Sequence, residues 1–335
     1  MSNIAIIGAG AWGTGIAIVL GRKGTHRIRL WAHEAEVCES VSIRHVNDKF
    51  LPGHRIPDCV TISNDLAVVL DQAKIVVGVM PSQHCRTLFE KMRPLLPDDA
   101  LIVSATKGLE EGSLLRVTEV IAEVLSSDHL RRVGALSGPS FAVEAARGDP
   151  TAVAIASLDN ELAATVQSEF SDPSFRVYTN TDVIGVELGG ALKNVIAIAA
   201  GICDGLGIGH NSVAALITRG LAEMTRLAVS CGGRAETMSG LAGLGDLVLT
   251  CTGGLSRNRS VGVELGRGKK LPEIISSMHG MVAEGIFTTT AAVGLARAHG
   301  VEMPITNQMY AILHDGKSPR EAIRELMTRS GRSEK

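Results

Sequence analysis

A single lysine interrupts an apolar helical stretch in the second half of the chain, and its apolar surroundings make it a candidate for proton transfer. Lys193 stands within residues 189–197, where every neighbour except Asn194 is apolar or glycine. A lone ammonium in such surroundings is costly to desolvate, so Lys193 needs a partner or a cavity. Burial and a second cation nearby would both lower its pKa and make it a proton acceptor near neutral pH. A lysine that extends from a helix end into water is the alternative.

Two polar segments further along the chain could complete a site around this lysine. Asp246 lies in the glycine-rich segment 242–250 and could either orient the lysine or cap the following helix. Ser256, Arg257 and Asn258 follow a glycine pair after one intervening leucine. Because the planar fork of arginine suits phosphate oxygens, we interpret this cluster as a site for a phosphate on the substrate. A solvated basic face is the alternative.

The N-terminal segment has the spacing of a dinucleotide-binding turn. Gly8, Gly10 and Gly13 form a Gly-x-Gly-x-x-Gly pattern between an apolar strand pattern and a helical one. In such a turn the first glycine makes the tight bend, the second lets the backbone approach a pyrophosphate, and the third permits close helix–strand packing. The helix then directs its free N–H groups at the pyrophosphate. The sequence therefore predicts a bound dinucleotide.

The residue after the second predicted strand bears on the choice between NAD and NADP. About 20 residues past the glycines, such domains commonly carry an acid that binds the ribose hydroxyls and selects NAD. His33 falls near that place, and a histidine does not repel a 2′-phosphate, so NADPH is permitted. Glu34 is close enough to leave NAD open, and a merely solvated His33 is a third interpretation.

Lys107 and the turn containing Gly138 and Ser140 follow two later predicted strands. In parallel sheets, ligands bind outside the carboxyl ends of the strands, so both segments lie where a ligand is expected. A lysine beside a glycine suits an anionic or carbonyl-bearing ligand, and a glycine turn lets a ligand approach the backbone. An ordinary surface lysine and an ordinary turn are the alternatives.

Alternating elements in the first half would position these residues. Near-continuous apolar runs, typical of parallel strands covered by helices on both faces, predict strands at 4–7, 27–31, 75–80, 101–105, 134–136 and 152–156. Helical patterns then take over at 194–200, 213–229 and 288–298, and Ser318 begins a capping box for a last helix. We predict an α/β domain with a mostly parallel sheet, residues 1–184, followed by an all-α domain, residues 185–335.

The balance of charges, the cysteine spacing and the length of the apolar runs indicate which partners and locations are not expected. The chain has 33 Lys and Arg against 35 Asp and Glu, which gives no reason to expect nucleic acid or a charged membrane surface as a partner. The six cysteines are scattered without a C-x-x-C, so we expect thiols and no metal site. The first predicted strand leaves no room for a signal peptide, and the most apolar run, 195–203, is far shorter than the roughly 20 residues of a membrane helix. We expect a cytoplasmic protein without membrane insertion.

Taken together and in this order, these segments resemble the NAD(P)-dependent glycerol-3-phosphate dehydrogenases of the bacterial type. The resemblance implies a Rossmann-type first domain, a helical second domain and a substrate cleft between them. It also implies reduction of dihydroxyacetone phosphate, a phosphorylated triose, to sn-glycerol 3-phosphate for phospholipid synthesis, with NAD or NADP as cofactor. The matching segments are 8–13, 30–33, 105–110, 137–142, 185–194, 216–224, 240–252, 256–259 and 302–305.

The resemblance assigns a role to each candidate residue. Lys193 is the proton acceptor in glycerol phosphate oxidation, and Lys107 lies where substrate and cofactor meet. The implied substrate contacts also include Gly138, Ser140, Asp246, Ser256, Arg257 and Asn258. Arg257 would also reach the dinucleotide, and the remaining cofactor contacts are Trp12, His33, Ala142, Val282 and Glu284. Taken without the resemblance, Glu284 has the pattern of a solvated helix residue.

Two other functions stay open at this point. A dehydrogenase of β-hydroxyacids could also use a lysine after a dinucleotide-binding domain, with the cluster 256–258 holding a carboxylate. A non-catalytic dinucleotide sensor would bind NADH without turnover. An Ala- and Leu-rich helical domain is also compatible with a homodimer.

Overall fold

The computed structural model describes residues 2–126, 132–278, 280–331 and 333. The strands are β1 (Ser2–Ile7), β2 (His26–Trp31), β3 (Val46–Asn47), β4 (Leu51–Arg55), β5 (Val60–Ser63), β6 (Ile75–Gly78), β7 (Leu101–Ser104), β8 (Val133–Ser137), β9 (Thr151–Ser157) and β10 (Phe175–Asn180). The helices are α1 (Ala11–Arg22), α2 (Ala35–Arg44), α3 (Leu66–Leu70), α4 (Cys85–Met92), α5 (Val117–Leu125), α6 (Ala142–Arg147), α7 (Asn160–Phe170), α8 (Val183–Gly205), α9 (His210–Ser230), α10 (Ala235–Met238), α11 (Asp246–Thr252), α12 (Arg257–Gly266), α13 (Leu271–Ser277), α14 (Glu284–Ala298), α15 (Pro304–His314) and α16 (Pro319–Met327). Short 3₁₀ turns lie at Ser82–His84 and Arg93–Leu95, and a π-helical turn at Leu241–Gly245.

Eight strands form one sheet in the order β10-β9-β8-β7-β6-β1-β2-β5. All neighbouring pairs are parallel except β8 and β9, so β9 and β10 run opposite to the other six strands. The carboxyl ends of β1, β2, β6, β7 and β8 therefore meet at one edge. This confirms the predicted α/β fold with a mostly parallel sheet.

The alternation of side chains along β1 explains the layers on either side of the sheet. Ile4 and Ile6 belong to one buried cluster, with residues of α1 and α7, whereas Ala5 and Ile7 belong to another, with residues of α4 and α5. Successive side chains of a strand point to opposite faces. Because both faces are covered, the central strands are apolar at nearly every position, as the sequence predicts.

The helical part of the chain is built around α8. Its N-cap is Asp182, whose carboxylate accepts a hydrogen bond from the Gly185 N–H at 2.8 Å, and 20 of its 23 residues are buried. By length and composition α8 could cross a membrane, although 94% of its most apolar window is buried inside the fold. The apolar run 195–203 thus belongs to the C-terminal half of a much longer buried helix.

Several elements are absent from the sequence-based prediction. Strands β5 and β10 lie at the two edges of the sheet, and β10 alternates buried with exposed residues instead of forming an apolar run. The small antiparallel hairpin β3–β4 occupies the connection between α2 and β5. The apolar runs predict parallel strands throughout, whereas β9 is antiparallel to β8. The sequence pattern could not predict this reversal, because hydrophobicity carries no information about strand direction.

Candidate active site

Two lysines from different halves of the chain bind one buried carboxylate. Lys193 Nζ donates to Asp246 Oδ1 at 2.6 Å, and Lys107 Nζ donates to Oδ2 of the same group at 2.7 Å. Asp246 is 1% exposed. It is the first residue of α11, whose N-cap is Gly245, so its side chain orients the lysines and does not cap the helix. The cluster joins the carboxyl end of β7 to α8 and α11.

The surroundings of Lys193 lower the pKa of its ammonium to about 8. Burial is the main cause, because it disfavours the charged form. The Asp246 carboxylate acts in the opposite direction, and the charge of Lys107 lowers the pKa further. Thr250 Oγ1, one helical turn after Asp246, accepts a second hydrogen bond from Lys193 Nζ at 2.8 Å. Lys193 can therefore gain and lose a proton close to neutral pH.

Lys107 also connects this cluster to the turn after β8. Its Nζ donates to the Gly138 carbonyl oxygen at 2.8 Å and lies 3.5 Å from Ser140 Oγ. The Ser140 hydroxyl donates to the same carbonyl at 2.9 Å. The structure thus brings Lys107, Gly138 and Ser140 together at the sheet edge, as their positions at strand ends predict.

A close approach between α8 and the π-helical turn positions Asp246. A side chain at Gly189 would place its Cβ 2.6 Å from the carbonyl oxygen of Ala242, which leaves no room for any residue but glycine. The turn Leu241–Gly245 leads directly into Asp246. π-helical turns are rare and are frequently found at functional sites. Here the wide turn brings the Asp246 carboxylate within hydrogen-bond distance of Lys193.

Two residues of the predicted phosphate cluster, Ser256 and Asn258, make hydrogen bonds within the protein, whereas the third, Arg257, is left available. Ser256 is the N-cap of α12, and its Oγ accepts a hydrogen bond from the Arg259 N–H at 3.2 Å. Asn258 donates to Asn194 Oδ1 and accepts from the Gly285 N–H, both at 2.9 Å, so it connects α8, α12 and α14. Arg257 is exposed and makes no hydrogen bond or ion pair within the described ranges, although the charge of Glu284 is near enough to act on it. Its guanidinium is the group most available to a ligand phosphate.

The glycine turn has the geometry that a bound pyrophosphate requires. Gly8 has φ +119°, and a Cβ there would overlap the Val79 carbonyl, while a Cβ at Gly13 would overlap the Gly8 carbonyl. Gly10, the N-cap of α1, has no atom within 4 Å of its Cβ position, so that side of the turn is open. Trp12 Nε1 is buried and finds no acceptor in the part of the chain that the structure describes. An open helix N-terminus beside an unpaired donor fits a dinucleotide.

The other predicted cofactor residues lie around the same edge. The Gly8 N–H donates to the Trp31 carbonyl at 3.1 Å, so His33, exposed two residues later, follows the strand beside the turn. Ala142 begins α6 and packs against α1 at Gly15.

Glu284, the first residue of α14, has a structural partner across the cleft. Its carboxylate accepts from the Ser82 N–H at 3.1 Å and from the Ser82 hydroxyl at 2.6 Å. Burial raises the pKa of Glu284, and the charge of Arg257 counteracts that effect. Val282, partly buried, lies in the segment just before α14. The pattern of a solvated helix residue at Glu284 is therefore misleading.

Sequence reasoning assigned no role to Thr250 or Asn194, and it placed Ser82 only at the carboxyl end of a strand, without its partner. The position of Thr250 could have been predicted, because it lies four residues after Asp246 and therefore on the same face of a helix. Ser82 and Asn194 find partners 202 and 64 residues away in the chain, which no local pattern reports. Among the described residues, no group of three His, Cys, Asp or Glu side chains could hold a metal ion.

Comparison with known proteins gives matches along nearly the whole chain. Models of the N-terminus and C-terminus of NAD-dependent glycerol-3-phosphate dehydrogenase match residues 3–163 and 182–324. A glycerol-3-phosphate dehydrogenase [NAD(P)+] from Koribacter versatilis is 66% identical over 334 residues, covering 100% of this chain and 99% of that protein. One from Geobacter sulfurreducens is 53% identical over 333 residues, covering 99% of each.

A solved structure gives the same result. The crystal structure of glycerol-3-phosphate dehydrogenase from Coxiella burnetii is similar with a TM-score of 0.93 and 42% identity. The match covers 98% of this chain and 99% of that one. Both the helical half and the sheet are therefore shared with that structure.

Proposed function

Because the chain belongs to the family of NAD-dependent glycerol-3-phosphate dehydrogenases, we propose that Lys193, held by Asp246, moves the proton in their reaction. The chain is an NAD(P)-dependent oxidoreductase that interconverts dihydroxyacetone phosphate and sn-glycerol 3-phosphate. Bound NAD(P)H supplies the hydride for the carbonyl carbon, and NAD(P)+ accepts it in the reverse direction. The observation that carries the proposal is the buried carboxylate shared by Lys193 and Lys107.

The proton moves at the oxygen on the central carbon of the substrate. In oxidation, neutral Lys193 Nζ accepts the hydroxyl proton of glycerol 3-phosphate, and in reduction its ammonium returns a proton to the forming alkoxide. Asp246 fixes the direction of the lysine through the 2.6 Å hydrogen bond. The positive charge of Lys107, beside Gly138 and Ser140, attracts the anionic substrate and stabilises negative charge on that oxygen.

The substrate phosphate binds at the start of α12. The exposed guanidinium of Arg257 and the free N–H groups at the helix N-terminus suit phosphate oxygens. Ser256 shapes this end as its N-cap, and its hydroxyl hydrogen remains to donate to the phosphate. Asn258 holds α12 against α8 while lying next to the same oxygens.

The dinucleotide binds at the open face of the glycine turn. The backbone of 8–13 faces the pyrophosphate, with the side chain of Trp12 next to it, and His33 lies at the adenosine ribose, where it permits NADP as well as NAD. Ala142, Val282, Glu284 and Arg257 line the remaining path of the cofactor. These assignments rest on the open space at Gly10, the unpaired Trp12 donor and the family match.

The wider setting follows from the same chemistry. We propose that residues 1–184 bind the cofactor and residues 185–335 supply the substrate site, an arrangement that is compatible with a homodimer. The product is the backbone of glycerophospholipids, and we expect the enzyme in the cytoplasm without membrane insertion. The family match leaves the β-hydroxyacid and sensor hypotheses without support.

Replacement of Lys193 by Ala tests the proposal directly. In steady-state reduction of dihydroxyacetone phosphate, followed with NADH and NADPH side by side, we expect Lys193→Ala to lose about 100-fold or more in turnover. Binding of NADH, measured by fluorescence titration, should stay unchanged. Lys91→Ala, at an exposed position on α4, is the matched control and should keep full activity. Near-normal turnover of Lys193→Ala would contradict the assignment.

A further inference from the structure

A buried asparagine in the hairpin β3–β4 forms hydrogen bonds with the glycine turn and with the first turn of α1. Asn47 is 0% exposed. Its Nδ2 donates to the Ala9 carbonyl oxygen at 2.7 Å and to Thr14 Oγ1 at 2.8 Å. Its Oδ1 accepts a hydrogen bond from the Phe50 N–H at 3.1 Å. The amide therefore uses both Nδ2 hydrogens and its oxygen, which fixes its orientation in the hairpin.

The contact with the Ala9 carbonyl also fixes the next peptide N–H. A peptide group is planar and trans, so its carbonyl and its N–H point in opposite directions. With the Ala9 carbonyl held toward the hairpin, the Gly10 N–H points toward the opposite, open side of the turn. The Cβ position of Gly10 has no atom within 4 Å, so a ligand can approach the backbone here. Gly10 is also the N-cap of α1.

The Ala9 carbonyl has few other ways to satisfy its hydrogen bonding. Ala9 is 4% exposed, and the only other donor recorded for its oxygen among the described residues is Thr14 Oγ1, at 3.3 Å. A buried carbonyl that loses its main donor is expensive to keep in place. If Asn47 were removed, the peptide between Ala9 and Gly10 would rotate to find another donor, and the Gly10 N–H would rotate with it.

We propose that Asn47 is a positioning residue for the dinucleotide, because it holds the glycine turn with the Gly10 N–H directed at the pyrophosphate. This inference rests on the proposed binding of NAD(P) at that turn. It gives the hairpin β3–β4 a function, since this insertion contributes no strand to the main sheet. The specificity of the effect separates it from a purely structural role: cofactor binding should weaken while the chemistry at Lys193 is preserved.

Asn47→Ala tests this role through the dissociation constant of NADH. Measured by fluorescence titration of the whole protein, that constant should rise about tenfold, the factor that corresponds to 1.4 kcal/mol. The KM for NADH should rise in parallel. Turnover at saturating NADH and the KM for dihydroxyacetone phosphate should stay within about twofold of the wild type. A structural defect alone would not separate these constants.

Two further variants make the result decisive. Thr14→Val keeps the shape of the side chain and removes the oxygen that accepts from Asn47, so the NADH dissociation constant should rise about threefold. Ile56→Val, buried directly after β4, loosens the packing of the same hairpin without removing a hydrogen bond of the turn. Its melting temperature should fall while NADH binding is unchanged.

Each outcome decides the question. An unchanged NADH dissociation constant in Asn47→Ala overturns the inference, as does an equal rise in Ile56→Val. If Asn47→Ala does not fold, Thr14→Val decides alone, and wild-type affinity in that variant overturns it. Failure of the wild-type protein to bind either NADH or NADPH would instead refute the proposed function of the turn.

Discussion

At the scale of single residues, the arrangement of three charged groups supports our proposal that Lys193, and not Lys107, moves the proton. Lys193 and Lys107 each bind one oxygen of Asp246, but their side chains are 8% and 17% exposed. The more buried lysine has a pKa lowered to about 8, and the charge of Lys107 contributes to that shift. The charge of Lys107 thus increases the fraction of Lys193 that is neutral, and able to accept a proton, near neutral pH. A single carboxylate shared by two lysines is what permits this division of roles.

We propose that the choice between NAD and NADP depends on His33. In His33→Asp, the new carboxylate would repel the 2′-phosphate of NADPH, whereas NADH carries no charge there. From the size of such charge interactions near water, we expect kcat/KM for NADPH to fall about tenfold and that for NADH to change little. Steady-state assays with both cofactors measure this. Equal losses with NADH and NADPH would refute a role for His33 at the ribose.

At the scale of elements, the path of the chain through a π-helical turn determines where Asp246 lies. Gly189→Ala would press a methyl group against the Ala242 carbonyl and displace the turn Leu241–Gly245. We expect turnover to fall about tenfold or more because Asp246 moves away from Lys193, while NADH affinity stays unchanged. Steady-state kinetics and NADH titration together measure both effects.

Gly209→Ala is the matched control for this prediction. Gly209 precedes α9, and its Cβ position has no atom within 4 Å. Activity of this variant should equal that of the wild type. If Gly189→Ala also retained full turnover, the close approach of α8 to the turn would have no part in positioning Asp246.

The elements also differ in how far the sequence could predict them. Central strands such as β6 are predictable because burial on both faces requires an unbroken apolar run. The edge strand β10 was not predicted because one of its faces meets solvent. Its buried residues therefore alternate with exposed ones such as Arg176 and form no apolar run. The hairpin β3–β4 is too short for any periodicity to show. The reversal of β9 depends on how the sheet assembles and not on its own residues.

At the scale of the whole molecule, a buried ion pair connects the catalytic helix to the other half of the chain. Glu187 of α8 accepts hydrogen bonds from Arg116, at 2.6 Å, and from the backbone N–H and hydroxyl of Thr118, at the start of α5. Glu187 lies six residues before Lys193, so this contact helps to fix α8 against the sheet domain. Burial raises the pKa of Glu187, while the charge of Arg116 counteracts it.

Glu187→Ala should therefore destabilise the folded protein markedly. The change leaves Arg116 and the Thr118 N–H without their buried partner, and breaking such a pair lowers the free energy of unfolding by about 3 kcal/mol or more. Urea denaturation measures this difference. Glu119→Ala removes a more exposed carboxylate from the same arginine and should cost about 1 kcal/mol. Equal losses in the two variants would contradict the importance of the buried pair.

The candidate site shows what the sequence could and could not provide across the molecule. Residue type and context select Lys193 and Asp246, because charge in apolar or glycine-rich surroundings demands a partner, and Arg257, because its planar fork suits phosphate oxygens. The partners themselves come from distant elements, as in the contacts of Glu284 with Ser82 and of Asn47 with Ala9. Such pairs depend on how helices and sheet pack, and one sequence does not contain that information locally.

The pH dependence of glycerol 3-phosphate oxidation tests the central claim most directly. Lys193 must be neutral to accept a proton, so kcat/KM of the wild type should rise with pH through an apparent pKa near 8. Because the Asp246 carboxylate raises the pKa of Lys193, Asp246→Asn should shift that rise to lower pH, with reduced turnover. A wild-type profile with no rise near pH 8, or the same apparent pKa in both proteins, would contradict Lys193 as the proton acceptor.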